Sequence, residues 1–198
     1  MHQTALAIPL FNLGTFDVYP AYLDPAESIP NHLATINGND LAIVEDAQFG
    51  AGPIDFMGTA IVPESALSLT FAYSLDIPQG NEEYLFFEAY DDDAAMTLAY
   101  LDGPGGFDET GDKNYSGSFS LDLSLAGGHA VEFIFGLDSG YDDEMSTTTL
   151  TFADVELNLA EPIHPAPVPE PGTCLLLVSG LTGLFVPRAF QNWKKKNR

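Results

Sequence analysis

The chain has 198 residues, 29 of them acidic and only six basic, for a formal charge of −23 at neutral pH. Distribution matters more than the total: 28 acids and a single lysine, Lys113, precede residue 169, which leaves that part at −27. A surface of this kind has no basic patch to neutralise phosphates, which excludes nucleic acid as a natural partner. The sole cysteine, Cys174, excludes an intrachain disulfide, so the fold must be held by core packing, with or without bound ions.

Residues 2–7, HQTALA, end in the small-residue pattern Ala5, Leu6, Ala7 of a cleavage site, but lack the basic and apolar regions that precede one. The expectation is that residues 1–7 are the remnant of a signal peptide whose start lies upstream of Met1; the alternative is an ordinary N-terminus. A globular body is expected over residues 8–159, and its apolar period is two. Leu67, Leu69, Phe71, Tyr73 and Leu75 alternate with small polar residues, as do Phe119, Leu121, Leu123 and Leu125. Further strands are expected at Leu41–Glu45, Tyr84–Tyr90, Met96–Leu101, Val131–Leu137 and Leu150–Leu159, separated by turn-rich stretches such as DGPGG (102–106) and LAGGH (125–129). About eight strands and no amphipathic helix predict an all-β fold, an antiparallel β-sandwich of jelly-roll type.

The last of these strands breaks its own pattern. Leu150 and Phe152 occupy even positions, whereas Val155, Leu157 and Leu159 occupy odd ones, so a β-bulge is expected near Ala153 and Asp154. If the first phase persisted to Asp154, its carboxylate would point inward and need a cation, backbone donors or a bend that returns it to water. Asp91, Asp92 and Asp93, and Asp142, Asp143 and Glu144 near Asp138, read as solvated loop tips, with Ca²⁺ coordination as the alternative. Asp112, Asn114, Ser116 and Gly117 open like an EF-hand loop, but Leu123 stands where a bidentate Glu is needed, which makes them a turn before a strand.

Catalysis finds little support. The four histidines, His2, His32, His129 and His164, are scattered singly, and no nucleophile-elbow pattern occurs. A glycosidase needs two carboxylates about 5–10 Å apart, a pair the sequence cannot nominate among 28. Carbohydrate binding is the better competitor to a purely structural role. The only tryptophan, Trp193, lies in the tail, so Tyr19, Tyr22, Tyr90, Tyr100 and Tyr141 are the aromatic candidates in the body.

Beyond the body, residues 160–168 (AEPIHPAPV) carry three prolines and form an extended, semi-rigid linker. Residues 169–198 then combine three parts: Pro169, Glu170 and Pro171; an apolar, Leu/Gly-rich run from Thr173 to Val186; and Arg188, Lys194, Lys195, Lys196 and Arg198. Eighteen residues from Thr173 to Phe190 would span roughly 27 Å as a helix, just short of a hydrocarbon core of about 30 Å. The basic residues behind it make a membrane stop, and the positive-inside rule leaves the body outside the cytoplasm.

This tripartite ending resembles the PEP-CTERM sorting domain of bacterial surface and exopolysaccharide-associated proteins. The resemblance implies that an exosortase-type membrane protease recognises Pro169–Pro171. It implies an exported protein of a Gram-negative bacterium that passes through an inner-membrane intermediate, anchored by a single C-terminal transmembrane helix, to the cell surface or extracellular matrix. The family tail is Arg-rich where this one is mostly Lys, which leaves the charge logic intact. A second resemblance, of FADVEL (152–157) to the final strand of jelly-roll carbohydrate-binding modules, implies a structural Ca²⁺ on Asp154 together with a residue near the N-terminus, here Asp17. The alternative is that Asp154 caps the bulge and Asp17 faces solvent. The function expected is structural or adhesive, Ca²⁺-stabilised and non-enzymatic. The alternatives are a carbohydrate-binding module acting on exopolysaccharide and an extracellular hydrolase.

Overall fold

The computed structural model describes residues 6–20, 33–45, 53–107, 111–139 and 147–161. The linker, the Pro169–Pro171 motif, the apolar run and the basic tail lie outside the described residues, as do Tyr22, Tyr141 and Asp142–Glu144. Among the described residues no helix is long and apolar enough to cross a membrane.

The described residues form eleven strands: β1 (Leu6–Pro9), β2 (Gly14–Pro20), β3 (Ala34–Asn37), β4 (Asp40–Val44), β5 (Ile54–Ile61), β6 (Ala66–Ile77), β7 (Glu82–Asp91), β8 (Met96–Phe107), β9 (Lys113–Asp122), β10 (Ala130–Ser139) and β11 (Thr149–Leu159). Every pairing is antiparallel. The first sheet runs β3-β4-β11-β6-β9, with β1 also on β11, and the second runs β2-β5-β10-β7-β8. Leu6 and Ala7 are therefore part of the fold, paired with Leu159 and Asn158.

The two sheets close over one apolar core, which makes the body an antiparallel β-sandwich. Alternation decides what enters it. Along β7, Leu85, Phe87 and Ala89 are buried while Tyr84, Phe86 and Glu88 face outward. Phe71 and Phe152 of the first sheet interlock with Phe87 and Phe135 of the second, with ring centroids 5.0–5.9 Å apart. Such pairs add about 0.5–1.5 kcal/mol each beyond the area they bury.

The expected bulge is present. Between Ala153 and Glu156 the register against β6 shifts by one residue, and Asp154 takes φ 53°. The backbone bend returns its side chain to water, while its N–H donates to Asp40 Oδ1 at 2.9 Å and the Val155 N–H to the Asn39 carbonyl at 2.9 Å. A second shift, between Asn158 and Leu159, leaves Leu67 as the extra residue on β6. Leu67, expected inward, is exposed, and Ala66 enters the core in its place.

Two further expectations are corrected. DGPGG does not turn the chain, because β8 runs through it to Phe107. Its Pro104 is tolerated on an edge strand, where one missing N–H need not break a ladder. A Cβ at Gly105 would collide with the Glu83 carbonyl, so this close approach requires glycine. The strand expected to reach Leu125 ends at Asp122, whose Oδ1 accepts the Ser124 N–H at 2.9 Å and starts the turn. Leu125 is consequently 92% exposed.

Candidate functional site

The outward sides of the two sheets differ in chemistry, and that of the second sheet concentrates rings and carboxylates. Cross-strand register arranges them in rows. Tyr19, Asp55, Gly136, Phe86 and Asp102 form one row across β2, β5, β10, β7 and β8. Asp17, Met57, Ile134, Glu88 and Tyr100 form the next, and Thr15, Thr59, Glu132 and Tyr90 a third. Four strand intervals separate β2 from β8, about 19 Å at the usual spacing. Tyr19 and Tyr100 stand toward its two sides, 51% and 61% exposed.

Glycine shapes the middle. A Cβ at Gly136 would collide with the Phe86 ring, so the absence of a side chain on β10 lets that ring lie across the strand. Beside it the acids crowd. Tyr84 donates its hydroxyl to Glu82 Oε1 at 2.7 Å, and this hydrogen bond, then burial and the charges of Glu82, Asp138 and Asp102, push its ionisation above the usual tyrosine range. Asp55 is held above the usual carboxylate range by burial and by Asp138, and its Oδ1 is buried with no hydrogen-bond partner. Asp138 is raised by burial and by Asp102. Burial and like charge raise these carboxyls, and a carboxyl oxygen accepts hydrogen bonds whether or not the group holds its proton, so the face offers acceptors to a ligand's donors.

A second constellation sits where the turn after β7 meets the turn before β10. His129 Nδ1 lies 2.8 Å from Asp91 Oδ2; Asp91 is buried and the histidine about one-third exposed. The Ala94 N–H donates to Asp91 Oδ1 at 2.9 Å and the Ala130 N–H to Asp93 Oδ2 at 2.8 Å. The His129 hydrogen bond lowers Asp91, and the same bond, with Asp93 nearby, raises His129. This pair ties the β7–β8 hairpin turn to the turn that carries the chain from β9 across to β10. A separate cleft of ≈ 290 Å³ is lined by Asp76, Asp112, Lys113, Asn114, Thr147 and Thr149, with Asn114 donating to Asp76.

Of the residues nominated from sequence, Tyr19, Tyr90 and Tyr100 join one face, and Asp17 stands on it beside Met57. Asp17 and Asp154 are on different sheets, β2 and β11. Among the described residues no group of three or more His, Cys, Asp or Glu is placed to hold a metal ion. Asp91 is not a loop tip, as expected, but a buried partner of His129. Its parity could have announced this, since it continues the inward series Leu85, Phe87, Ala89. Asp138, expected in an acidic loop, lies within β10, and the pattern does not point to Tyr84, Phe86 or Asp55, because alternation says which residues face outward but not which of them become neighbours.

No family model matches the chain, and no curated protein matches it. Solved structures resemble it at low identity. The N-terminal cellulose-binding domain of Cellulomonas fimi β-1,4-glucanase C is 12% identical, over 75% of this chain and 90% of that one, at a TM-score of 0.39. A carbohydrate-binding module described for specific mannan recognition is 12% identical over 72% and 88%, at 0.37. The K1 cleaved adhesin domain of Lys-gingipain from Porphyromonas gingivalis W83 is 15% identical over 80% and 99%, at 0.36.

Proposed function

We propose that this chain is an exported, surface- or matrix-associated adhesive protein whose sandwich holds a neutral polysaccharide on the outer face of the second sheet without cleaving it. The observation that carries the reading is the pair of cross-strand rows that bring Tyr19, Phe86 and Tyr100 onto one face with Asp17, Asp55, Glu88 and Asp102 between and beside them. Pyranose rings present C–H bonds that pack on aromatic faces and hydroxyls that donate to carboxylates, so alternating rings and acceptors suit a sugar chain several units long. Anionic chains are disfavoured by Coulomb repulsion from a face without a cation.

The strand order supports the jelly-roll assignment, because β4-β11-β6-β9 facing β5-β10-β7-β8 is the connectivity of two interleaved Greek keys. Export rests on the Pro169–Pro171 motif, the apolar run and the basic stop, read as a signal for an exosortase-type protease. A stabilising Ca²⁺ held by Asp17 together with Asp154 draws no support from their positions on different sheets and is not part of this reading.

Affinity electrophoresis through gels containing neutral glucans or mannans tests the binding. Retardation of the wild type is expected, with Tyr100→Ala and Tyr19→Ala each weakening it about tenfold, the effect of losing roughly 1.4 kcal/mol. Migration unaffected by every neutral polysaccharide would remove the reading. A hydrolase is favoured by one observation, the carboxyls Asp55 and Asp138, both raised above the usual carboxylate range, on the same face. Turnover that disappears in Asp55→Asn would establish it instead.

A further inference from the structure

The sheets end in edges of unequal openness. β1 and β3 have four residues each, β2 carries Asp17 and ends in Pro20, and β8 carries Pro104 and two register shifts. Short length, proline, charge and bulges are the devices that stop an edge from recruiting another strand. β9 has none of them along most of its length. It pairs with β6 over ten consecutive residues without a shift, contains no proline, and bears charge only at its ends, on Lys113 and Asp122. Among the described residues no strand pairs with its other side.

The free groups can be identified. The Leu123 N–H donates to the Leu67 carbonyl at 3.0 Å, and antiparallel ladders alternate, so odd-numbered residues of β9 bond to β6. Asn114, Ser116, Ser118 and Ser120 then present their N–H and C=O groups at the edge, with exposed side chains.

We propose that β9 pairs antiparallel with β9 of a second copy of this chain, around a two-fold axis at Ser118, joining two first sheets into one. A two-fold dimer must be self-complementary, and this register is. It sets Ser118 opposite Ser118, Ser116 opposite Ser120, and Asn114 opposite Asp122, so an amide meets a carboxylate. The neighbouring register, centred on Gly117, would set Asp112 opposite Asp122 and is disfavoured by like charge. Charge also selects the site. The body is strongly acidic, whereas β9 is neutral and carries the only lysine before residue 169, so two copies approach there against the least repulsion.

Sedimentation of the full-length protein in nonionic detergent, at micromolar concentration, tests this. The wild type is expected at the dimer mass. Ser118→Pro removes one edge N–H and leaves the ladder to β6 intact; it is expected at the monomer mass, with the dissociation constant raised at least about tenfold. Should the proline variant lose its native circular dichroism, Ser118→Lys gives the same reading by setting two cations opposite each other. An equimolar mixture of Ser118→Lys and Ser118→Glu should recover the dimer. A monomeric wild type, a folded Ser118→Pro protein that stays dimeric, or a mixture that stays monomeric overturns the proposal. Polysaccharide retardation is read in separate gels, so either result can fail without the other.

Discussion

The outer face of the first sheet and that of the second are built on the same backbone and have opposite surfaces. On the first, Ser116, Ser74 and Thr151 stand in one row with Ala42, and Ser120 and Thr70 in another with Glu156, a surface of small hydroxyls, amides and acids without aromatic rings in these rows. On the second, Tyr19, Phe86 and Tyr100 stand between carboxylates, with the Phe86 ring lying over Gly136. A sheet needs apolar residues only on its inner side, so its outer side is free to vary, and that is where ligand chemistry can be placed. The first face is suited to staying soluble beside its open edge. The second collects rings and acids at the cost of burial and like-charge repulsion among its carboxyls.

One glycine in each sheet sharpens the contrast. A Cβ at Gly117, on the inner side of β9, would collide with the Tyr73 ring, which packs against the core. Gly117→Ala is expected to cost about 1–3 kcal/mol in denaturant unfolding, the range of overpacking, with polysaccharide retardation unchanged. Gly136→Ala should do the reverse, because Phe86 can swing into solvent: stability within about 1 kcal/mol of wild type, but retardation weakened about tenfold. Equal effects of the two substitutions on binding would erase the distinction between the faces.

Smaller effects come from charge. Asp138 is raised in the folded state, so the folded protein holds that proton more tightly and stability falls as pH rises from the unfolded carboxylate range through the raised value. Asp138→Asn should therefore melt higher than wild type at neutral pH, by less than about 2 °C, and the gain should vanish in acid where both forms are neutral. A melting temperature lowered at neutral pH would show that Asp138 supports the fold.

The smallest effect expected is at His129. Its raised value contributes stability that is full below the ordinary histidine range and is lost as pH climbs through the folded value; the lowered Asp91 contributes stability present above the ordinary carboxylate range and lost as pH falls through its folded value. The pair thus stabilises most between the two. His129→Gln should flatten the melting-temperature profile on the alkaline side of that window, and an unchanged profile would show the two turns to be held without help from this pair.

Much of this was legible in the chain. The period of two located seven strands, and the phase break between Phe152 and Val155 located the bulge, because inward direction is set by residue parity within one segment. β1, β2, β3 and β5 were not anticipated. β1 and β3 are four residues each, too short for alternation to declare itself. The Asp91–His129 contact joins residues 38 apart, and no local pattern reports it.

Sequence by itself determined the acidic body, the absence of an intrachain disulfide, the two-fold alternation and the run of Pro169–Pro171, apolar segment and basic residues, since each is a property of composition or of neighbours along the chain. Only the tertiary structure decided which outward residues meet. Tyr19 and Tyr100 come within one face because β5, β10 and β7 lie between their strands, and β9 keeps an open edge because strand order puts it last. Strand order and register join residues distant in sequence, and alternation within a strand carries no information about its neighbour.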